Sequence, residues 1–570
     1  MRMRVLLVII VCACSAAATP TTAIKVDQVG YFPQARKLAF VVADQTAAEF
    51  LLRNARDSSV VLRGQLSPPI FDADSRDRIQ IADFSHLQTQ GSFYIDVPGV
   101  GRSWSFSIGP SVYDRAFYLT MRSFYGQRCG TVVDLGSEFS GFKHAACHLN
   151  GRYHPSSGKS GPRLSAKGWH DAGDYGRYIV NSGISTGELL WAWELFGTRI
   201  RNVSLDIPES PNALPDILDE IRWNLEWMLT MQDEDGGVWP KQTSERFADF
   251  VMPEHDSLVS YVIGTGKGLY KSSAATADFA AVMAIAARVY KPFVGAFAHE
   301  CLIAAEKAWA WLQINAAVAF RNPAGVLTGE YGDADASDEI VWASAELWRT
   351  TKQANYERHF LAHYAAQLSP AAAGPPSWQR VGALALWTFV LDQAANKQAA
   401  NVIRRWAVKV ADEIVRRTER NGYRVSLRSN DYVWGSNGVV ANYGVQLMIA
   451  NMITPDARYV EAALENLHYL LGRNTFSLSW VTQVGENPFR HPHHRPSKAD
   501  GNSDPWPGLL SGGPNRSRQD PAMRKLPELP PARMYLDDWE SYATNETAIN
   551  WNAPLVFVLA ALLPESKNQR

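Results

Sequence analysis

Two carboxylates stand three apart in Trp169-His170-Asp171-Ala172-Gly173-Asp174-Tyr175-Gly176, with small residues between them that let the backbone turn tightly. Both can point at one water. Far along the chain, Tyr535-Leu536-Asp537-Asp538-Trp539-Glu540-Ser541-Tyr542 leads into Asn545-Glu546, then Ile549-Asn550-Trp551-Asn552-Ala553-Pro554-Leu555. Glu546 is therefore expected to open the last helix, beside an apolar surround that would raise its pKa and keep its proton. A protonated carboxyl to meet a leaving oxygen, with an ionised carboxylate on the other face to draw a proton from water, is the division of labour that hydrolyses glycosidic bonds. On its own such a pair is more often a solvated cap or turn.

Other polar clusters carry their own chemistry. His491, His493 and His494 could ligate a metal, but the flanking Pro492, Arg495 and Pro496 favour a rigid loop that grips sugar hydroxyls. Asp537 can be read as a cap, an orienting partner or a catalytic group. Cys129 and Cys147-His148 offer thiolates and imidazole for tetrahedral zinc, with His170 as fourth ligand and His144 or His154 as substitutes. A Cys129–Cys147 disulfide is the competing reading. Asp333, Asp335, Asp338 and Glu339, close behind Glu330, have the oxygen density of a calcium site, or of an acidic helix start.

The elements that must position these groups fall into two parts. The chain of 570 residues, 46% hydrophobic and 20% charged, is too long for one small core. From 24 to 109, short alternating runs (37–42, 60–62, 80–82, 92–97 and 103–108) separated by Gly, Pro and Asp predict a small all-β immunoglobulin-like sandwich. From 110 to 570 the period turns helical. Segments 112–127, 181–196, 214–232, 276–290, 298–316, 338–351, 355–367, 377–393, 397–418, 441–453, 457–472 and 546–563 predict twelve helices, with strand signals nearly absent. Helical hairpins closed into an all-α (α/α)6 toroid would place a site among loops at one end, and three long connections (129–178, 478–496 and 535–554) hold the polar clusters. Residues 1–23 read as a secretory signal, with Cys14 a candidate lipid anchor, so a secreted or periplasmic protein is expected. No later stretch is apolar enough to span a membrane. With 56 Lys and Arg against 57 Asp and Glu, no nucleic acid partner is expected, and 19 Trp include many in loops where flat rings suit sugars.

Taken together, the Asp171 to Tyr175 loop, the Ser479 to Arg495 run and the Tyr535 to Ala553 stretch resemble three signatures of glycoside hydrolase family 9, in the branch with an immunoglobulin-like N-terminal domain. Val26-Asp27-Gln28-Val29-Gly30-Tyr31 is similar to the start of that domain. The resemblance implies an inverting endo-β-1,4-glucanase, with exo-acting members of the family as the alternative. It assigns Glu546 as general acid, Asp174 as base and Asp171 as its assistant, and makes His493 and Asp537 active-site residues. Arg495, Trp434 and Tyr542 are taken as substrate-binding. A structural zinc is implied near Cys129, with calcium in the acidic segment. A β-1,4-linked polysaccharide or oligosaccharide is the expected partner, soluble glucan rather than crystalline cellulose because no carbohydrate-binding module follows the last helix, and a monomer is expected.

Overall fold

The computed structural model describes residues 19–266, 268–370 and 373–565; most of the expected signal segment, with Cys14, lies outside them. Ten strands build the N-terminal part: β1 (Ile24–Lys25), β2 (Gly30–Tyr31), β3 (Leu38–Val41), β4 (Glu49–Asn54), β5 (Val60–Gln65), β6 (Ile70–Phe71), β7 (Arg78–Asp83), β8 (Gly91–Val97), β9 (Gly101–Arg102) and β10 (Phe106–Ile108). They form two sheets, β1-β3-β7-β6 and β2-β10-β8-β4-β5, with β9 on β8. The inward side chains, among them Phe50, Leu52, Phe93, Ile95 and Phe106, make one apolar core between the sheets. Sequence reading missed the two-residue strands β1, β2, β6 and β9 and one longer strand, β4. Its Phe50, Leu51 and Leu52 are all buried, so it shows no alternation to read, although it pairs on both edges, with β5 and β8.

Twelve helices of nine or more residues follow among the described residues: α1 (Asp114–Gly126), α2 (Ile179–Ile200), α3 (Asp216–Thr230), α4 (Ser273–Tyr290), α5 (Gly295–Leu312), α6 (Ser337–Thr351), α7 (Ala354–His363), α8 (Gly382–Val390), α9 (Lys397–Arg420), α10 (Ser436–Ile453), α11 (Ala457–Leu470) and α12 (Ile549–Leu562). The even-numbered helices pack on one another in order, α12 on α2, α2 on α4, α4 on α6, α6 on α8 and α10 on α12, while odd-numbered helices flank them. Composition dictates this division. In α4, Ser273-Ala274-Ala275-Thr276-Ala277-Asp278-Phe279 and nearly everything after it is buried, whereas α9 buries only a stripe through Ala400, Ile403, Ala407, Ala411 and Ile414. A helix apolar all round belongs inside; an amphipathic one covers it. The result is the twelve-helix (α/α)6 toroid.

Two corrections follow. Strands are present beyond residue 110: Asn150–Tyr153, Pro162–Leu164, Arg177–Tyr178, Lys241–Thr243 and Ser260–Ile263 form a five-stranded sheet at the mouth of the toroid. Its strands are two to four residues long, too short to register as a period. Glu546 does not open the last helix. It ends a short helix at Tyr542–Asn545 in extended conformation, and α12 begins at Ile549.

The sandwich grips the toroid through buried polar contacts. His468 Nδ1 meets Asp27 Oδ2 at 2.8 Å, Gln28 bonds Ser477 O and the backbone N–H of Asn487, and Asp77 pairs with Arg533. The last two grips hold the chain just before the histidine loop and just before the 537–546 loop.

Candidate active site

Three loops meet at one end of the toroid, stitched by backbone hydrogen bonds. Ile549 donates to Asp171 O at 2.9 Å, Arg495 to Gly173 O at 3.1 Å, and His493 to Asn545 O at 2.8 Å, which sets His493 and Glu546 side by side as a β-bridge. Gly512 donates to Glu546 O at 2.8 Å. Gly173 has no freedom to be larger, because a Cβ there would lie 1.8 Å from the carbonyl oxygen of His493. The expected constellation is thus assembled from segments more than three hundred residues apart.

Each carboxylate has its own surroundings. Asp171 is buried, with Oδ1 accepting from Asn181 Nδ2 at 2.6 Å and Oδ2 from Tyr331 OH at 2.7 Å. Burial and the neighbouring Asp174 push its pKa up to about 8, against those two hydrogen bonds. Asp174 Oδ2 accepts from the backbone N–H of Gly176 at 3.1 Å and from Tyr178 OH at 3.3 Å. Glu546 is held well above the usual carboxylate range by burial first, then by Asp174 and Asp171. A proton is kept on Glu546 where an isolated glutamic acid would have lost it. Trp434 Nε1 donates to Glu546 Oε2 at 3.1 Å, although the indole was expected only to bind substrate.

The remaining expected residues are tied in differently. His493 Nδ1 lies 2.6 Å from Trp539 O, and since a carbonyl only accepts, Nδ1 carries the hydrogen and Nε2 keeps a lone pair. Burial pushes its pKa down to about 4, so the ring is neutral. Arg495 is buried, donating from Nη1 to Gly173 O at 2.7 Å and from Nε to Ala248 O at 2.9 Å, with its guanidinium over Phe250. It ties the Asp171–Asp174 loop to the histidine loop. Asp537 spends both oxygens on the backbone N–H groups of Arg490 and His491 and on Asn545 Nδ2, each at 2.9 Å, so it shapes the loop beneath His493. Tyr542 packs on Trp434 and His493. The three carboxylates line a cleft of about 480 Å³ whose walls include Tyr331, Trp378, Trp434 and Trp551. Sequence reading missed Asn181, Tyr331, Tyr178 and Trp378. Asn181 and Trp378 lie in helix-like runs with no local signal, Tyr178 closes the 129–178 connection, and Tyr331, inside the acidic segment, carried the nearest signal.

Behind the Asp171–Asp174 loop, ligand atoms of Cys129, Cys147, His148 and His170 all lie within 4.8 Å of one another. His148 Nδ1 is buried with no hydrogen-bond partner among the described residues, while its Nε2 is held by Asp256 Oδ2 at 3.1 Å. A buried orphan nitrogen facing two thiols, oriented from behind by a carboxylate, fits tetrahedral zinc. His148 adopts φ 48°, a conformation that lets consecutive residues 147 and 148 both face the centre. Among the described residues the ligand atoms of His144 and His154 do not join this cluster, so neither stands in for His170. In the acidic segment, Asp333 and Asp335 cap local turns and Asp338 Oδ2 accepts from the N–H groups of Val381 and Gly382. Within this segment Glu339, buried, leaves both oxygens without partners, as Asp278 and Glu188 do elsewhere among the described residues.

Known proteins share this arrangement. Residues 113–559 match the profile of Glycosyl hydrolase family 9, and residues 19–102 match that of the Cellulase N-terminal ig-like domain. Endoglucanase D of Acetivibrio thermocellus is 37% identical over 545 residues, covering 95% of this chain and 83% of its own. Xyloglucan-specific endo-beta-1,4-glucanase BoGH9A of Bacteroides ovatus is 35% identical, covering 95% and 94%. The crystal structure of a Zn-binding triple mutant of GH family 9 endoglucanase J30 superposes with TM-score 0.86 at 32% identity, covering 94% of this chain and all of that one. With both profiles matched end to end in the order the fold requires, this chain belongs to glycosyl hydrolase family 9 and is a glycoside hydrolase.

Proposed function

We propose that the enzyme is an endo-β-1,4-glucanase acting by single displacement. Glu546 protonates the glycosidic oxygen, while Asp174, with Asp171 beside it, draws a proton from the water that attacks the anomeric carbon from the opposite face, inverting it. The observation that carries this reading is the contrast in one cleft between Glu546, kept protonated by its surroundings, and Asp174, which accepts hydrogen bonds from the Gly176 N–H and the Tyr178 hydroxyl. Tyr331, Trp378, Trp434 and Trp551 offer apolar rings to sugar faces. His493 presents Nε2 to a sugar hydroxyl, Tyr542 backs it, and Arg495 and Asp537 set the loops. The endoglucanase names of the relatives support an internal mode of attack.

Zinc held by Cys129, Cys147, His148 and His170 would brace the loop that carries the base rather than enter the chemistry. Calcium would be held by Glu339 and its neighbour Asp338. We also take residues 1–23 as the export signal, 24–109 as the sandwich and 110–570 as the catalytic domain, in an exported, monomeric enzyme. Among the described residues no helix is long and apolar enough to cross a membrane.

Product analysis on carboxymethyl cellulose, cello-oligosaccharides and chitosan oligomers tests the reading. A fast drop in viscosity with a spread of product lengths is expected from the cellulosic substrates. Release of a single small sugar from chain ends, or turnover of chitosan oligomers alone, would overturn it.

A further inference from the structure

Lys241 lies in the strand Lys241–Thr243, between Tyr178 and Ile263 on the neighbouring strands, and is completely buried. Its Nζ meets Asn322 Oδ1 at 2.7 Å, Gly329 O at 2.8 Å, Thr328 Oγ1 at 3.1 Å and Thr328 O at 3.4 Å. Asn322 Nδ2 donates to Thr328 O, which fixes the orientation of its amide. Asn322 Oδ1, Thr328 O and Gly329 O can only accept. Three acceptor-only partners call for three N–H groups, which an ammonium has and a neutral amine lacks.

The charge sits beneath the water-activating pair. Two residues beyond Gly329, Tyr331 gives its hydroxyl hydrogen to Asp171. On the other side Lys241 Nζ stands 5.6 Å from the centre of the Tyr178 ring, whose hydroxyl donates to Asp174. The acidic groups whose charges act on the ammonium are Asp174 and Glu330, and Glu330 is itself paired with Arg321. The Phe320 ring closes a further side. Neither sequence signature nor zinc ligand accounts for a cation here.

We infer that Lys241 is a positioning residue for hydrolysis: its buried ammonium pins the turn that aims Tyr331 at Asp171, backs Tyr178 against Asp174, and places a positive charge beside the water-activating pair. This rests on the assignment of Asp174 as base. Burial, which pushes the Lys241 pKa down to about 7, is opposed by the charges of Asp174 and Glu330, which help to hold the ammonium.

The test compares Lys241→Met, Lys241→Arg and Asn322→Ala with the parent on a soluble cello-oligosaccharide, with circular dichroism to establish folding. Misplacing a reacting group by about 1 Å costs on the order of a hundredfold. Lys241→Met is therefore expected to lose at least about tenfold in kcat with KM changed less than about threefold, and its acid limb of kcat/KM should move to higher pH. Lys241→Arg should restore the limb, because it restores the charge. A packing role alone would lower the melting temperature and leave the limb in place. Folded Lys241→Met with parental kcat and an unmoved limb overturns the inference. Should Lys241→Met not fold, Asn322→Ala decides, since it loosens the same turn and leaves the lysine; unaltered kcat there overturns the inference equally. Asp174→Asn in the same assay separates the two levels. An active Asp174→Asn refutes the base assignment, whereas an inactive one beside a normal Lys241→Met refutes only the role of Lys241.

Discussion

Gly173→Ala puts the loop geometry at risk with a single methyl. The glycine is not in a left-handed conformation, so alanine meets no backbone penalty; what it meets is the histidine loop. Its Cβ would lie 1.8 Å from His493 O, 2.8 Å from the carbonyl carbon and 3.3 Å from His494 Cα. Restoring an ordinary contact, near 3.4 Å, forces the loops about 1.5 Å apart. All three contacts are backbone, so no side chain can swing away. The displacement acts on the bond from Arg495 N to Gly173 O, and with it on Asp174 one residue on. Misplacement of about 1 Å in the reacting geometry is worth on the order of a hundredfold in rate, so kcat should fall by roughly that factor. Global folding should survive, because the loops are held elsewhere by Ile549 on Asp171 O and by the Asp537 bonds. Initial rates on a soluble cello-oligosaccharide, with thermal melting and circular dichroism on the same sample, measure both quantities. A folded variant with kcat within about threefold of the parent would refute the claim that close docking of these loops sets the catalytic geometry.

Other perturbations separate the roles of single groups. Trp434→Phe removes the N–H that favours ionised Glu546; with the indole 39% exposed, the hydrogen bond is worth at most about one pKa unit, and the basic limb of kcat should rise by about half to one unit. The sign follows from the acid being active only while protonated: a higher pKa carries activity to higher pH. A basic limb that falls or stays would contradict the pairing. Asp537→Asn places an amide against donors from Arg490, His491 and Asn545 and should lose about tenfold to a hundredfold in kcat with both pH limbs unmoved; a shifted limb would mark Asp537 as a titrating participant instead. Metal analysis of the purified enzyme should find about one zinc per chain, and Cys147→Ser should abolish it and lower the melting temperature. Zinc retained by Cys147→Ser would refute the four-ligand site.

Much of this was legible in the chain because the site is made of residues with few other uses. Asp171, Asp174, His493 and Glu546 sit in long polar connections, and the four proposed zinc ligands are scarce residue types, three of them within 24 residues. Positions of the helices were equally readable, since inner helices are apolar all round and outer ones striped. What escaped was whatever depends on distant pairing. The strand Glu49–Asn54 hides as a continuous apolar run, and the short strands at the toroid mouth exist only because their partners are held nearby. Asn181, Tyr331 and Lys241 reach the site from a helix start, a turn and a strand that no local pattern marks. Arg495 and Asp537 were found by position, but their hydrogen bonds to backbone could be seen only in the folded chain.

The central claim, that Glu546 and Asp174 act from opposite faces in a single displacement, is met most directly by proton NMR of the first products released from a β-1,4-linked cello-oligosaccharide, before mutarotation mixes them. The anomeric signal of the new reducing end is expected to appear first as α. A new reducing end that appears first as β would contradict the account, since retention requires a covalent intermediate on a nucleophile that this assignment does not contain.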